Sequence, residues 1–367
     1  MTTVLFAGGG TGGHLMPALV LAEEMVRLDP SIQPFFVGSR RGVEAGVLTQ
    51  RPWRYVLLPL EPLRRRQWWK NVALPVSFTR SILAIGGILR RERPGLVVGT
   101  GGYVSGPVVG AAMALGVPSL IQEQNAYPGL ATRWLAGKAR QIHLGFPEAR
   151  KHLRPGPDTK VFVSGNPIQP PPEVLPPKSE AKSRLGFSPE SPVVLVMGGS
   201  QGALAINQSV RDALVGGYWP KDANLVWQTG PGTYSAFSGH AVHGRIVVEP
   251  FIDPIERAYS AADLVVARAG AMTLAEVAAW GLPSVLIPLP TAAAGHQLAN
   301  ARALEEAGAA VLLEQVSATG EALGQCVSQL LHDPARLAEI GAAARSRSHP
   351  NAVREIAAKG LEILSKS

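Results

Sequence analysis

One cysteine, Cys326, stands in 367 residues. A single thiol excludes an internal disulfide and a cysteine metal cluster, and the neighbours Val327, Leu330 and Leu331 make a packed helix position rather than the surroundings of a nucleophile. Such cysteine usage fits a reducing interior. No run of about 18 apolar residues occurs, so no spanning helix is expected. The opening residues run straight into an apolar strand without the basic and long apolar regions of a signal peptide, and a soluble or peripheral protein is expected. His, Cys, Asp and Glu nowhere cluster at metal-ligand spacing, so no protein-held metal is expected. One further absence concerns the nucleotide chemistry. The second apolar run, Phe35-Phe36-Val37-Gly38, is followed by Ser39, Arg40 and Arg41, with no acid before Glu44, whereas a dinucleotide fold places a ribose-binding acid near this point.

Glycine, in contrast, is abundant and placed. Three glycine-rich turns each follow a short apolar run: Gly8-Gly9-Gly10-Thr11-Gly12-Gly13-His14, Gly99-Thr100-Gly101-Gly102-Tyr103-Val104-Ser105-Gly106, and Gly198-Gly199-Ser200-Gln201-Gly202. A strand that ends in glycines can turn sharply and bring backbone N–H groups against an anion, and the helix that follows adds its unpaired donors and positive dipole end. Diphosphates are the natural guests. Taken alone, the first turn fits NAD(P), another nucleotide diphosphate, or a structural role. Pro17 sits early in the apolar-periodic stretch after it and suits the first turn of a helix.

The balance of 35 Lys+Arg against 27 Asp+Glu gives a formal charge of +8 and favours an anionic partner. Leu57 to Pro75 interleaves leucines, Trp68 and Trp69 with Arg64, Arg65, Arg66 and Lys70. That mixture suits an anionic membrane surface, where indoles sit at headgroup depth; the same residues would also suit a surface loop whose tryptophans plug the core. No nucleic-acid-reading module accompanies the charge, so no nucleic-acid partner is expected.

Apolar runs alternate with helical stretches, the pattern of a parallel sheet covered by helices. Strands are predicted near 3–7, 33–38, 55–60, 95–99, 118–122 and 160–164, then near 193–197, 225–228, 245–248, 263–267, 284–288 and 310–313. Between the two sets lies a proline-rich stretch, Asn166 to Pro177, which reads as a stiff exposed linker. The expected division is a Rossmann-like domain at 1–165, a linker at 166–178, a second Rossmann-like domain at 179–345, and a C-terminal helix at 346–367 that packs back on the first domain. Ligands of such sheets bind outside the carboxyl ends of the strands, so the loops there should line a cleft between the domains. Those loops carry amides, hydroxyls and single carboxylates, equipment for reading a sugar and a ribose.

In this order and spacing, Gly-Gly-Thr-Gly-Gly-His at 9–14, Gly-Gly-Tyr-Val-Ser-Gly-Pro at 101–107, Glu-Gln-Asn at 123–125, Gly-Asn-Pro at 165–167, Gly-Gly-Ser-Gln-Gly at 198–202, Phe-Ile-Asp at 251–253 and Thr-Leu-Ala-Glu at 273–276 carry a specific resemblance. Over essentially its whole length the chain resembles the lipid II-forming GlcNAc transferases of glycosyltransferase family 28. The resemblance implies the α/β GT-B architecture, two Rossmann-like parallel-sheet domains facing an interdomain cleft. It implies inverting transfer of GlcNAc from UDP-GlcNAc to the C4 hydroxyl of MurNAc in undecaprenyl-diphosphate-linked MurNAc-pentapeptide, lipid I, without a cofactor. Peptidoglycan synthesis at the cytoplasmic side of the inner membrane, as a peripheral protein, follows from it. The alternatives are another GT-B UDP-sugar enzyme (a glycolipid glycosyltransferase or a UDP-GlcNAc epimerase), an NAD(P) oxidoreductase, and a non-catalytic binding protein.

Carried over residue by residue, the resemblance implies that Ser200 and its neighbouring backbone hold the diphosphate, Ile252 flanks the uracil and Glu276 binds the ribose hydroxyls. Ala271, Met272, Thr273, Leu274 and Ala275 form the helix-opening segment beside diphosphate and sugar, and His296, Gln297, Asn300 and Asn125 belong to the sugar side. Thr11, Gly12, Gly13 and His14 face the reacting centre. Gln169 departs from the family pattern, which often has arginine there, at the uracil-side contact. For proton transfer there are two candidates, His14 and Glu123. An imidazole with pKa near ~6.5 matches deprotonation of a hydroxyl at neutral pH, while His14 could instead bind a phosphate or cap its helix, and Glu123 could be a structural acceptor. For Glu276 the plainer alternative is a carboxylate stabilising its own helix. Tyr103 either stacks on a sugar or wedges a loop.

Overall fold

Along β1 (Thr2–Gly8), Val4 and Phe6 point to one face of a sheet while Leu5 and Ala7 point to the other, and all four are fully buried. A strand apolar on both faces belongs inside a parallel sheet with helices on both sides. The structure is a computed structural model that describes residues 1–61 and 74–365; Arg64, Arg65, Arg66, Trp68, Trp69 and Lys70 of the expected membrane-facing stretch lie outside the described residues. The chain divides into two units, Met1–Gln169 together with Asn351–Ser367, and Pro170–Pro350.

Unit 1 has seven parallel strands: β1, β2 (Ile32–Ser39), β3 (Arg54–Leu58), β4 (Leu96–Gly101), β5 (Ser119–Glu123), β6 (Gln141–Leu144) and β7 (Lys160–Val163), in the order β3-β2-β1-β4-β5-β6-β7. The order reverses direction between β1 and β4, the switch point at which open α/β sheets bind ligands. Its helices are α1 (Gly12–Leu28), α2 (Glu44–Val47), α3 (Leu74–Glu92), α4 (Gly102–Ala114) and α5 (Leu130–Leu135). One face of the sheet packs on α3 and α4 through Ile85, Leu89, Val104 and Val108; the other packs on α1 through Leu15, Leu19 and Met25.

Unit 2 spans α6 (Lys178–Arg184), β8 (Val193–Met197), α7 (Leu204–Val215), β9 (Asn224–Gln228), α8 (Tyr234–Phe237), β10 (Ile246–Glu249), α9 (Glu256–Tyr259), β11 (Leu264–Ala267), α10 (Ala271–Trp280), β12 (Ser284–Leu286), α11 (His296–Glu306), β13 (Val311–Leu312), α12 (Gly320–Leu331) and α13 (Pro334–Ser346). Its six strands are again parallel, in the order β10-β9-β8-β11-β12-β13. The last helix, α14 (Ala352–Leu364), returns to unit 1, where Ile356, Ala357 and Ile363 complete the core against α1.

Three details differ from the sequence expectation. Strand β6 has no counterpart in it, because Gln141-Ile142-His143-Leu144 mixes polar and apolar residues although all four are buried. Its polar side chains are satisfied internally: His143 Nδ1 meets Ser164 Oγ at 2.9 Å, His143 Nε2 meets Gln141 Oε1 at 3.1 Å, and Gln141 Nε2 donates to the Lys359 carbonyl at 3.0 Å. Pro17 lies in the second turn of α1, not the first, since the helix already begins at Gly12. The exposed part of the proline-rich stretch starts only at Gln169, because Asn166, Pro167 and Ile168 are buried, with Asn166 bonded to Gln122 Nε2 and the Gln124 carbonyl.

Candidate active site

In unit 1 the first glycine turn joins β1 to α1. Thr11 is the N-cap residue of α1, makes no side-chain capping bond and is exposed, as are Gly12 and Gly13, and the first turn holds no acid. The second glycine turn, between β4 and α4, closes on it from the side. Gly101 and Gly102 have φ of +100° and +76°, and a Cβ there would lie 2.7 Å from His14 Nδ1 and 2.0 Å from the Gly9 carbonyl oxygen. Only glycine fits both the dihedral and the space. Thr100 Oγ1 donates to the His14 carbonyl at 2.7 Å.

The half-buried imidazole of His14 is oriented by Gln124, a residue absent from the sequence-derived site. Gln124 Nε2 donates to the Thr100 carbonyl (2.7 Å), to the Gln122 carbonyl (3.2 Å) and to Gln122 Oε1. The atom left to face His14 Nδ1, at 3.2 Å, is therefore Gln124 Oε1. An amide oxygen only accepts, so this network assigns the ring proton to Nδ1 and leaves the lone pair on Nε2.

Glu123 is placed differently. Its Oε1 accepts from Asn125 N (3.1 Å) and Asn125 Nδ2 (3.2 Å), and its Oε2 accepts from Gly129 N (2.9 Å) and Thr132 Oγ1 (2.6 Å). Four donors engage this buried carboxylate, which thereby fixes Asn125 and the start of α5. Tyr103 packs against Gly10, where a Cβ would come within 2.5 Å of its ring, and against the core of the sheet. Gln169 is exposed at the end of the unit.

In unit 2 the third glycine turn joins β8 to α7 and exposes Ser200. Gly199 and Gly202 have φ of +85° and +75°, and a Cβ on Gly202 would lie 2.0 Å from the Thr229 carbonyl oxygen. Behind the turn, Gln228 at the end of β9 donates from Nε2 to the Gly199 carbonyl (3.0 Å) and accepts at Oε1 from Ile252 N (2.9 Å), so one amide ties two candidate loops together. Ile252 itself is 1 % exposed and its side chain belongs to the core, whereas its neighbour Phe251 is 52 % exposed.

Helix α10 opens at the end of β11 with Ala271, Met272 and Thr273, again with no acid in its first turn and no side-chain cap. In the second turn, Glu276 Oε2 accepts from the buried Tyr259 hydroxyl at 2.9 Å. Burial holds the Glu276 carboxyl above the usual carboxylate range, and the Tyr259 hydrogen bond pulls in the opposite direction. Leu274 is buried and Ala275 half-buried along the same helix. At the start of α11, His296 and Gln297 are half-buried, with Gln297 Oε1 accepting from Leu289 N at 2.9 Å. Asn300 is fully buried and donates to the Ala269 carbonyl at 3.2 Å, so it holds the end of β11 rather than presenting an amide at the surface.

Helices α1, α4, α7, α10 and α11 all begin with no acid in the first turn and no side-chain cap, while α12 and α13 are capped by Thr319 and Asp333. Helix starts without an acid or a side-chain cap favour an anionic ligand by about 0.3–1 kcal/mol each. Among the described residues, no group of three or more His, Cys, Asp or Glu could hold a metal ion.

Residues 4–144 match the model of the glycosyltransferase family 28 N-terminal domain, and residues 193–356 match that of the glycosyltransferase family 28 C-terminal domain. The chain belongs to glycosyltransferase family 28. A family 28 relative from Chlorobium limicola, named UDP-N-acetylglucosamine--N-acetylmuramyl-(pentapeptide) pyrophosphoryl-undecaprenol N-acetylglucosamine transferase, is 42 % identical over 98 % of this chain and 99 % of its own. The protein of the same name from Moorella thermoacetica is 40 % identical over 96 % of each chain. Among solved structures, MurG from Acinetobacter baumannii matches with a TM-score of 0.78 at 29 % identity, covering 99 % of this chain and 100 % of that one. The calicheamicin glycosyltransferase CalG4, at 15 % identity and a TM-score of 0.68, shares the fold. Two Rossmann-like parallel-sheet units in one chain are the GT-B architecture of these family 28 enzymes.

Proposed function

We propose that this chain transfers GlcNAc from UDP-GlcNAc to the C4 hydroxyl of the MurNAc unit of lipid I, with inversion at the anomeric carbon, to give lipid II and UDP. The family 28 match along nearly the whole chain supports the reaction, and the His14–Gln124 contact at 3.2 Å is the observation that carries the mechanism. With Nδ1 committed to Gln124, Nε2 of His14 takes the proton of the acceptor hydroxyl as its oxygen forms a bond to C1 and the bond from C1 to the β-phosphate oxygen breaks. Thr11, Gly12 and Gly13 lie beside it on the acceptor side, and Asn125, held by Glu123, belongs to the sugar side. The engagement of Glu123 by four donors favours a positioning role for it and leaves proton transfer to His14.

In unit 2, the turn around Ser200 and the start of α10 receive the diphosphate and stabilise the charge that develops on departing UDP. Glu276, oriented by Tyr259, accepts from the ribose hydroxyls. The loop of Phe251 and Ile252 borders the uracil through backbone and the exposed ring, and His296 and Gln297 address the sugar. Leu57 to Pro75 is the candidate contact with an anionic membrane surface, as fits a peripheral protein at the cytoplasmic face acting on a lipid-linked acceptor; among the described residues no helix is long and apolar enough to cross a membrane.

Release of UDP from UDP-GlcNAc, followed with a short-chain lipid I analogue, with UDP-GalNAc and without acceptor, tests this function. Acceptor-dependent turnover that prefers GlcNAc is the expected result. Donor binding without acceptor-dependent release would place the chain among other GT-B UDP-sugar enzymes.

A further inference from the structure

Glu44 is the first acid after β2 and opens the one-turn helix α2, yet its side chain does not face solvent: it is 0 % exposed. Its carboxylate turns back under the first glycine turn. Oε1 accepts from Gly10 N at 2.9 Å and from Ser39 N at 3.2 Å, joining the turn after β1 to the end of β2. The site is shaped around it. A Cβ on Gly9 would lie 1.7 Å from Oε1 and one on Gly42 1.7 Å from Oε2, while one on Gly38 would lie 2.9 Å from the Glu44 Cβ. Oε2 is buried without a hydrogen-bond partner, and among the described residues no cation pairs with the group. Burying a carboxylate with a bare oxygen is unfavourable unless its position does something for the fold or the site.

We propose that Glu44 is an internal anion seated in the first glycine turn, a positioning residue for the reaction assigned above. It takes the Gly10 N–H that a nucleotide phosphate would otherwise receive in a turn of this type. Unit 1 thereby has the glycine turn of a nucleotide-binding fold with that donor already occupied, so this turn does not compete for nucleotide. Only the far part of the turn, Thr11 to Gly13, remains exposed, and with the Gly8–Gly10 backbone pinned, His14 is held where Thr100 and Gln124 meet it.

The role rests on the proposed transfer reaction, so the test reads geometry and activity separately in the full-length protein. Hydrogen exchange of the peptide spanning Gly8 to Leu15 is compared in wild type, Glu44→Ala and Glu44→Gln. The same proteins are assayed for kcat and KM with each substrate and for UDP affinity by calorimetry. Glu44→Ala is expected to lose protection in that peptide and at least about tenfold in kcat/KM for the lipid acceptor, as for a lost charge-assisted hydrogen bond, with UDP affinity unchanged. Glu44→Gln, whose amide oxygen still accepts from Gly10 and Ser39, is expected to recover most of both. Should Glu44→Ala fail to fold, Glu44→Asp, too short to reach Gly10, is expected to show the same split. Unchanged protection in a folded Glu44→Ala or Glu44→Asp protein, or a loss of UDP affinity as large as the loss of turnover, overturns the assignment. A wild-type chain without acceptor turnover overturns the transfer reaction alone, and the exchange comparison still decides whether Glu44 pins the turn.

Discussion

The glycine turns after β1 and after β8 begin alike and are backed by opposite chemistry. Beneath the first, a carboxylate accepts from Gly10 N; behind the second, an amide donates to the Gly199 carbonyl and accepts from Ile252 N. The turn of unit 1 has its Gly10 N–H taken by a carboxylate, whereas that of unit 2 is braced by a neutral amide and bonds its own Gly202 N to the Gly199 carbonyl. Under the proposed function, one backbone motif serves a proton-transfer site in one unit and a diphosphate site in the other. The side chain behind the turn, more than the glycines in it, separates the two.

The contrast breaks most sharply at His14. His14→Ala is expected to lower kcat by about 10²–10⁴-fold, the usual contribution of a positioned general base, in a steady-state assay with saturating UDP-GlcNAc. A smaller effect is expected from Gln228→Leu, which leaves the Gly199 carbonyl and Ile252 N without their partner. An unpaired buried group costs about 1–3 kcal/mol, so UDP affinity measured by calorimetry should weaken about tenfold while the KM for the acceptor holds.

Tyr259→Phe sharpens the donor side through pH. The Tyr259 hydroxyl lowers the Glu276 pKa against the upward push of burial, so its removal raises that pKa further. The carboxylate proposed to accept from ribose is then lost at a higher pH, and the acidic limb of a UDP-affinity profile should move upward relative to wild type. An unmoved limb would remove Glu276 from the ribose site.

In unit 1 the acid response is one of stability. Burial, with Lys359 nearby, pushes the His143 imidazole down from 6.5 to about 3. The unfolded chain thus takes up this proton before the folded one does. The stability present above pH 6.5 is lost as pH falls toward about 3, at about 1.4 kcal/mol per pH unit. Thermal midpoints measured across that window should fall for wild type and fall less steeply for His143→Gln.

The alternation of apolar runs and helices made both sheets legible, since strands such as Val193–Met197 are buried on both faces and carry no competing pattern. β6 escaped because His143 and Gln141 are polar residues whose partners, Ser164 and the Lys359 carbonyl, are remote in sequence, the latter 218 residues away. The same reason hid Gln124, Gln228, Tyr259 and Glu44 from the site: each acts through a contact that only the folded chain creates. His14 stood out because an imidazole that opens a helix after a strand end is rare, whereas Glu276 was singled out through the family resemblance. Pro17 misled about the start of α1, because a proline in the second turn leaves the carbonyl of Gly13 unpaired, a tolerable loss beside an exposed glycine.

Calorimetric titration of UDP into the full-length protein, carried out on His14→Ala beside Gly202→Ala, tests the division of labour most directly. Alanine at 202 would need a φ of +75° and would press a Cβ to 2.0 Å from the Thr229 carbonyl oxygen, so the proposed diphosphate turn cannot survive it. UDP should bind His14→Ala as it binds wild type and should fail to bind folded Gly202→Ala. Loss of UDP binding in His14→Ala with retention in Gly202→Ala would contradict the account.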